Sequence, residues 1–298
     1  AGHKVKILAV NSEKYHIKDK DIPQEYKEKT GIEFVDVDLK VKPIEAFKNL
    51  FSDRSYHVER FISEDFRKKL IEILKKDRYD IVQLEMIYMA PYIETIREHS
   101  KALIVLRAHN VEHLIWDRIA KKTNFLPKKW YLNHLVRTLR DYELNAINKV
   151  DGIAAITYRD AAFFRGETAV PVIDIPFGVN PEEFTPTYKV NENPTLYHIG
   201  SMNWMPNEEG IRWFLKNVWE KLKDREPDLK LNLAGRHMPK WLMNLKKKNV
   251  KVWGEVPDAK EFIQDNDIAI VPLLSGSGIR IKIIESMAMG KTVITTMI

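Results

Sequence analysis

Short apolar runs alternate with helical segments along nearly the whole chain, and this alternation leaves few folds open to it. The runs lie at Val5 to Val10, Ile32 to Val37, Tyr79 to Leu84, Ala102 to Arg107, Gly152 to Ile156 and Val172 to Ile175. A second series follows at Thr195 to Ile199, Leu229 to Ala234, Val250 to Trp253, Asp267 to Leu274 and Thr292 to Thr296. Between them, Phe66, Leu70, Ile73 and Leu74 repeat at helical spacing behind Ser63. Met89 to His99 reads as a helix introduced by Pro91, and a long helical region with a break near Pro127 extends to Asn148. Asn207 to Lys223 forms an amphipathic helix, with Ile211, Phe214, Leu215, Val218, Trp219 and Leu222 on one face. Asn11 to Thr30 is polar and reads as loop with at most one helical turn. Strands alternating with helices predict parallel, doubly wound α/β sheets. The polar, proline-bearing stretch from Pro181 to Pro194 divides them into two domains, 1–184 and 185–298. In such sheets ligands bind beyond the carboxyl ends of the strands, where the strand order reverses.

The stretch from Pro272 to Gly290 holds the densest chemistry. An apolar run stops at Ser275-Gly276-Ser277-Gly278-Ile279, and a helical pattern starts at once with Arg280 and Lys282. Backbone N–H groups and the positive end of a helix dipole would meet there, with two full positive charges beside them. Glu285, one turn on, is an acceptor-only carboxylate suited to a sugar diol. Together these groups could hold a ribose and a diphosphate. The same residues also fit an ordinary glycine loop with Lys282 and Glu285 as a solvated i,i+3 pair.

Composition narrows the partners. With no cysteine among 298 residues there is no disulfide framework, thiol nucleophile or cysteine-ligated metal. No apolar run approaches the length of a membrane span, and a reducing, cytoplasmic location fits. The net charge of +6 favours an anionic partner such as a phosphate-bearing substrate or a membrane surface. The basic runs Arg67-Lys68-Lys69, Lys121-Lys122, Lys128-Lys129 and Lys246-Lys247-Lys248 are short and do not alternate with aromatics. Nucleic acid is therefore not an expected partner. The basic segment around Lys128-Lys129-Trp130-Tyr131 could instead lie on an anionic membrane, or be an ordinary solvated helix.

These segments resemble, in order and spacing, the family 4 retaining glycosyltransferases (glycosyl transferases group 1) of the GT-B fold. The resemblance is carried by Asp80-Ile81-Val82-Gln83-Leu84-Glu85 with Tyr88-Met89-Ala90-Pro91-Tyr92, and by Leu106-Arg107-Ala108-His109-Asn110-Val111-Glu112. It continues through Pro176-Phe177-Gly178-Val179-Asn180, Ile199-Gly200-Ser201-Met202-Asn203-Trp204, Ala234-Gly235-Arg236 and the stretch ending at Gly290-Lys291. It implies two Rossmann-like domains facing across a cleft, an acceptor-side one and a nucleotide-sugar-binding one. The activity implied is transfer of a sugar from a nucleotide-diphosphate donor, such as a UDP- or GDP-sugar, with retention and with no metal required. His109 and Glu85 then become the catalytic candidates. The donor-binding candidates are Gly200, Ser201, Arg236, Val256, Gly278, Ile279, Arg280, Lys282 and Glu285. The acceptor would be a glycan or lipid-linked group of cell-surface polysaccharide or glycolipid synthesis, met at the inner face of the membrane.

Three departures qualify the match. Ser277 stands where the family's E-x(7)-E motif has its first glutamate, ahead of Glu285. The Arg and Lys that many members carry after the first strand of the second domain are missing after Gly200-Ser201. Gly2-His3 resembles the end of a helix that in the family follows a first, central strand, and Ile298 stops before the family's final strand and helices, so the chain is expected to be truncated at both ends. Loss of a central strand would leave two interior sheet edges unpaired.

Other readings of the same residues remain. A chain of this kind could bind a nucleotide-sugar without turning it over. His109-Asn110-Val111-Glu112-His113 also fits H-x-x-E-H, so a zinc hydrolase using His109, Glu112 and His113 is a second alternative. Trp204, Trp213, Trp219 and Trp253 are expected in the core rather than as sugar platforms.

Overall fold

The computed structural model describes residues 2–13, 16–186, 191–274 and 280–297. The chain divides into two compact units, Ala1–Pro176 and Phe177–Ile298.

Unit 1 runs in order through β1 (Leu8–Asn11), α1 (Gln24–Thr30), β2 (Glu33–Asp36), α2 (Pro43–Asn49), α3 (Tyr56–Glu59) and α4 (Glu64–Lys76). It continues through β3 (Ile81–Glu85), α5 (Ile93–His99), β4 (Leu103–Ala108), α6 (Glu112–Lys122), α7 (Leu126–Ala146), β5 (Gly152–Ala155), α8 (Tyr158–Glu167) and β6 (Val172–Asp174). Helix starts follow capping chemistry: the Ser63 hydroxyl accepts from Phe66 N at 3.3 Å before α4, and Thr157 from Asp160 N at 3.0 Å before α8. The four apolar residues of α4 named above are all buried. The region read as one helix from Met89 begins as a 3-10 turn, Ile87–Tyr92, and becomes α-helical at Ile93.

All strand pairs in unit 1 are parallel, but they form two separate sheets, β1-β2 and β3-β4-β5-β6. Leu8, Val10 and Val35 of the small sheet pack on the same core as Leu84, Ile104, Leu106 and Ile153 of the large one. Among the described residues, β1 pairs only with β2 and β3 only with β4. Elements α2 and α3, of seven and four residues, are too short for their spacing to mark them as helices.

Unit 2 contains β7 (Thr195–Ile199), α9 (Met205–Phe214), a π-helical turn at Leu215–Trp219, α10 (Glu220–Arg225), β8 (Lys230–Ala234), α11 (Lys240–Met243) and β9 (Val250–Gly254). It ends with α12 (Ala259–Gln264), β10 (Ile268–Val271), α13 (Ile281–Ala288) and β11 (Thr292–Thr295). The helix expected to be continuous from Asn207 to Lys223 is thus interrupted. The extra residue of a π turn shifts the helical register, and here Leu215 and Trp219 both enter the core.

The five strands of unit 2 are parallel in the order β11-β10-β7-β8-β9. Strand order reverses between β7 and β10, which is the switch point where such sheets open a crevice at their carboxyl ends. Two close approaches shape it. A Cβ on Gly210 of α9 would lie 2.0 Å from the Pro272 carbonyl oxygen, and one on Gly235 would lie 1.9 Å from that of Gly200. With φ +142°, Gly235 also has a backbone that other residues rarely adopt.

The tryptophan expectation needs correcting. Trp219 is core and Trp213 packs against it, but Trp204 and Trp253 are exposed at the surface. Both lie beside strand ends, where cations cover their rings: Arg280 at 5.4 Å from Trp204 and Lys251 at 3.3 Å from Trp253.

Candidate functional site

Each unit brings together residues from the ends of neighbouring strands. In unit 1, Glu85 closes β3 and pairs in register with Arg107 of β4. His109 follows β4, so the topology alone places it beside Glu85. Its Nε2 lies 2.6 Å from Glu85 Oε2, and Arg107 Nε lies 4.0 Å from the same oxygen. Gln83 donates to the other carboxylate oxygen. The His109 hydrogen bond, with smaller help from Gln83 and Arg107, holds the Glu85 carboxyl below the usual carboxylate range against the effect of burial. The pair remains half open to solvent, an arrangement able to accept a hydrogen bond and to hold an imidazole in one orientation.

The rest of the H-x-x-E-H segment does something different. Glu143 of α7 is buried and accepts from the backbone N–H groups of Glu112 (3.0 Å) and His113 (3.2 Å), capping the start of α6. It also lies 2.6 Å from His113 Nδ1. Glu112 accepts from the Tyr88 hydroxyl at 2.9 Å. Burial first, then the nearby Glu143 charge, raise the Glu112 carboxyl, opposed by the Tyr88 hydrogen bond. Glu112 and His113 are therefore spent on folding α6 onto α7, while His109 pairs with Glu85. Among the described residues no group of three or more His, Asp or Glu could hold a metal ion. The zinc-hydrolase alternative loses its ligand set on this geometry.

In unit 2 the candidates gather at the switch point. Gly200 ends the β7 turn, its N–H donating to the Ala234 carbonyl at 3.1 Å. Lys282, in the first turn of α13, reaches back beneath α9 and donates to Asn207 Oδ1 at 2.7 Å. The Asn207 amide in turn donates to the Ser201 carbonyl at 2.8 Å, so one buried carboxamide ties the β7 turn to α13. A Cβ on Gly200 would lie 2.7 Å from Lys282 Nζ and 3.5 Å from His198 Nε2. The absence of a side chain there leaves both groups their room. Withdrawal from solvent, and secondarily the Arg280 charge, push the Lys282 amine down to about 7. His198 is fully buried and donates its Nδ1–H to the Ile270 carbonyl at 2.9 Å, while its Nε2 has no partner among the described residues. Burial and the Lys282 charge hold this imidazole well below its usual range. Tyr197 of β7 donates to Ser286 Oγ at 2.9 Å, which donates to the Lys282 carbonyl and fixes α13 on the sheet.

The other sequence candidates divide. Glu285 is half-buried on α13, and its side chain has no hydrogen bond or ion pair among the described residues. Ser201 donates its hydroxyl to Asn203 Oδ1 at 2.8 Å. Arg236 follows Gly235, its carbonyl accepting from Met202 N at 2.9 Å, but its exposed guanidinium pairs with Glu255 at 2.9 Å. Val256 packs against the Tyr197, Ala234 and Phe262 cluster. Ser277, Gly278 and Ile279 lie outside the described residues. Asn207 and His198 went unnoticed in the sequence. A polar residue in the first turn of an amphipathic helix and a histidine inside a buried strand are both common, and only the topology brings them to Lys282.

Residues 193–298 match the family described as glycosyl transferases group 1. The chain is 23% identical over 246 residues to an "Uncharacterized 44.6 kDa protein in cps region" of Klebsiella pneumoniae, covering 78% of this chain and 61% of that protein. It thus spans about three fifths of the length of the curated relative it matches. Among solved structures, a sucrose-phosphate synthase from Thermosynechococcus elongatus superposes with a TM-score of 0.59 at 14% identity, over 98% of this chain and 81% of its own. A structure described as trehalose-6-phosphate from E. coli, bound with UDP-2-fluoro glucose, gives 0.56 at 12% identity, over 97% and 77%. TarM gives 0.56 at 14% identity, over 77% and 44%. Residues 193–298 are thus similar to the glycosyl transferases group 1, and the likeness to these solved structures gives the chain the GT-B fold.

Proposed function

We propose that this chain acts as a glycosyltransferase that moves a sugar from a nucleotide-diphosphate donor to an acceptor, with retention at the anomeric carbon. The observation that carries the reading is the Lys282 amine at the β7/β10 switch, held by Asn207 against Gly200, with the Glu285 carboxylate unpartnered among the described residues one turn further along the same helix. An amine short of a counter-charge and a carboxylate short of a donor are complementary to a diphosphate and a ribose diol. Lys282 and Arg280 would neutralise the leaving diphosphate, so the reaction is expected to run without a metal. Glu85 and His109 are proposed as the groups that contact the transferred sugar.

The acceptor is proposed to be a growing glycan or a lipid-linked group in cell-surface polysaccharide or glycolipid synthesis, in the cytoplasm at the inner face of the membrane. The naming of the Klebsiella pneumoniae relative for a cps region supports the polysaccharide part of this reading. No helix among the described residues is long and apolar enough to cross a membrane.

A thermal-shift panel of UDP-, GDP- and ADP-sugars tests the donor. A ligand at about a hundred times its dissociation constant adds about 2.7 kcal/mol to stability, so one nucleotide should stand out and a silent panel would count against the site. NMR of the released sugar then reports the anomer, and inversion would defeat the retaining mechanism. Binding with neither hydrolysis nor transfer would favour the alternative of a nucleotide-sugar-binding protein without turnover. Dialysis against EDTA should leave the rate unchanged.

A further inference from the structure

Helices α2 and α3 and the residues that join them border a hollow of about 350 Å³, at the lower end of the range for small-molecule sites. Glu45, Lys48 and Asn49 of α2 line it together with Glu59 of α3 and Arg60 just beyond. Its frame is fixed by hydrogen bonds to backbone. The Asn49 amide donates to the Arg54 carbonyl at 2.9 Å, and the Tyr56 hydroxyl accepts from Lys42 N at 2.9 Å. One Nη of Arg60 donates to the Leu39 carbonyl at 2.9 Å, and its guanidinium lies 5.7 Å from the Tyr56 ring centroid.

Polar groups around this hollow are short of partners. Six buried side-chain nitrogen or oxygen atoms have no hydrogen-bond partner among the described residues, and four of them fall between residues 49 and 60. They are Asn49 Oδ1, Ser55 Oγ, His57 Nε2 and Arg60 Nε. Buried polar groups are nearly always paired, so this concentration in one short segment marks it out. Two of the four belong to residues that line the hollow, and Asn49 is only 4% exposed.

The charges are also unevenly matched. Lys42 approaches Glu45 at 3.7 Å and Arg54 approaches Glu59 at 3.6 Å, both loose pairs. Lys48 and Arg60 have no ion pair among the described residues. Two cations without a counter-charge thus stand beside two carboxylates able to accept hydroxyl groups.

We infer that this hollow binds a single hexose unit that carries an anionic group, a phosphate or a carboxylate. Lys48 and the Arg60 guanidinium meet the anion, and Glu45 and Glu59 accept from the sugar hydroxyls. Arg60 is already anchored to Leu39, so little of its freedom is lost on binding. A bare anion is the poorer occupant, because it would leave the two carboxylates unmatched and repelled. This site goes beyond the function proposed above and does not rest on it: its residues belong to unit 1, and Lys282 and Glu285 belong to unit 2.

Saturation-transfer NMR and titration calorimetry test the site with glucose 1-phosphate, glucuronate, glucose and inorganic phosphate. At least one of the two charged hexoses should bind about tenfold or more tightly than both glucose and inorganic phosphate. Preference for glucose 1-phosphate assigns the site to a sugar phosphate, and preference for glucuronate to an acidic unit of a glycan. Lys48→Ala should weaken that binding about tenfold, with Lys48→Arg restoring most of it. Arg60→Lys should weaken it as much, since it keeps the charge and loses the planar fork. Circular dichroism, and the thermal response to nucleotide-sugars, should be unchanged in Lys48→Ala. Failure of both charged hexoses to bind at millimolar concentration overturns the proposal. So does inorganic phosphate binding as tightly as they do, or binding that neither Lys48→Ala nor Arg60→Lys alters. A silent nucleotide-sugar panel with charged-hexose binding intact would strike the donor reading alone.

Discussion

Lys282 Nζ donates to Asn207 Oδ1 at 2.7 Å, joining the start of α13 to the start of α9 across the point where the strand order of unit 2 reverses. The amine has exchanged water for one neutral carboxamide, which explains why its proton is held so loosely.

A pH dependence follows with a definite sign. With its affinity for protons lowered to about 7, Lys282 is partly neutral in the free protein near that pH. A bound diphosphate favours the ammonium and draws in a proton. Calorimetry with UDP in buffers of differing ionisation enthalpy should register uptake above pH 7 and little below pH 6, and affinity should weaken by up to about tenfold per unit above pH 7. In Lys282→Met both effects should vanish; uptake that persists in this variant would place the proton elsewhere. The same group affects stability with the opposite preference. Between pH 7 and about 10 the unfolded chain keeps the proton that the folded chain has shed, so this residue's contribution to stability rises with pH.

His109→Ala should lower turnover by about a hundredfold or more, as loss of a positioned acid–base or hydrogen-bonding group does. Its melting temperature should move by only about 2–4 °C, since a half-exposed hydrogen-bonded pair contributes about 1 kcal/mol at most. Parallel losses of rate and stability would reduce the Glu85–His109 pair to a structural contact.

The neighbouring Glu143 should behave in the opposite way. Glu143→Ala strands the two N–H groups at the start of α6 and the His113 imidazole in a buried place, at a cost of about 3–5 kcal/mol. Urea denaturation should show it directly, and affinity for UDP should be untouched in whatever fraction stays folded.

Gly235→Ala should destabilise unit 2 by roughly 2 kcal/mol or more, because its Cβ meets a backbone carbonyl rather than a movable side chain. The same substitution shifts the Gly200 turn, so UDP affinity should fall with stability. A neutral outcome in both would mean that the two strand-end turns are not locked together.

The alternation of strands and helices and the helix start behind Ser63 were legible in the chain, because each depends on local spacing. The same local reading failed where partners distant in sequence decide. His109-Asn110-Val111-Glu112-His113 has the spacing of a metal motif, yet Glu143, 30 residues from His113, claims His113 and the backbone of α6. Trp204 and Trp253 have the hydrophobicity of core residues, but strand ends leave them at the surface beneath cations. The π turn at Leu215–Trp219 leaves no mark on the apolar periodicity, since it arises from fitting Trp219 into the core.

For the Arg280, Lys282 and Glu285 group the sequence by itself determined the residue types, their spacing along one helix and their position after an apolar strand. Only the tertiary structure decided the state of Lys282, because the groups that surround it come from three places. His198 lies in β7, Gly200 in its turn and Asn207 in α9, up to 84 residues away in sequence, and the reversal of strand order brings them into one low-dielectric volume.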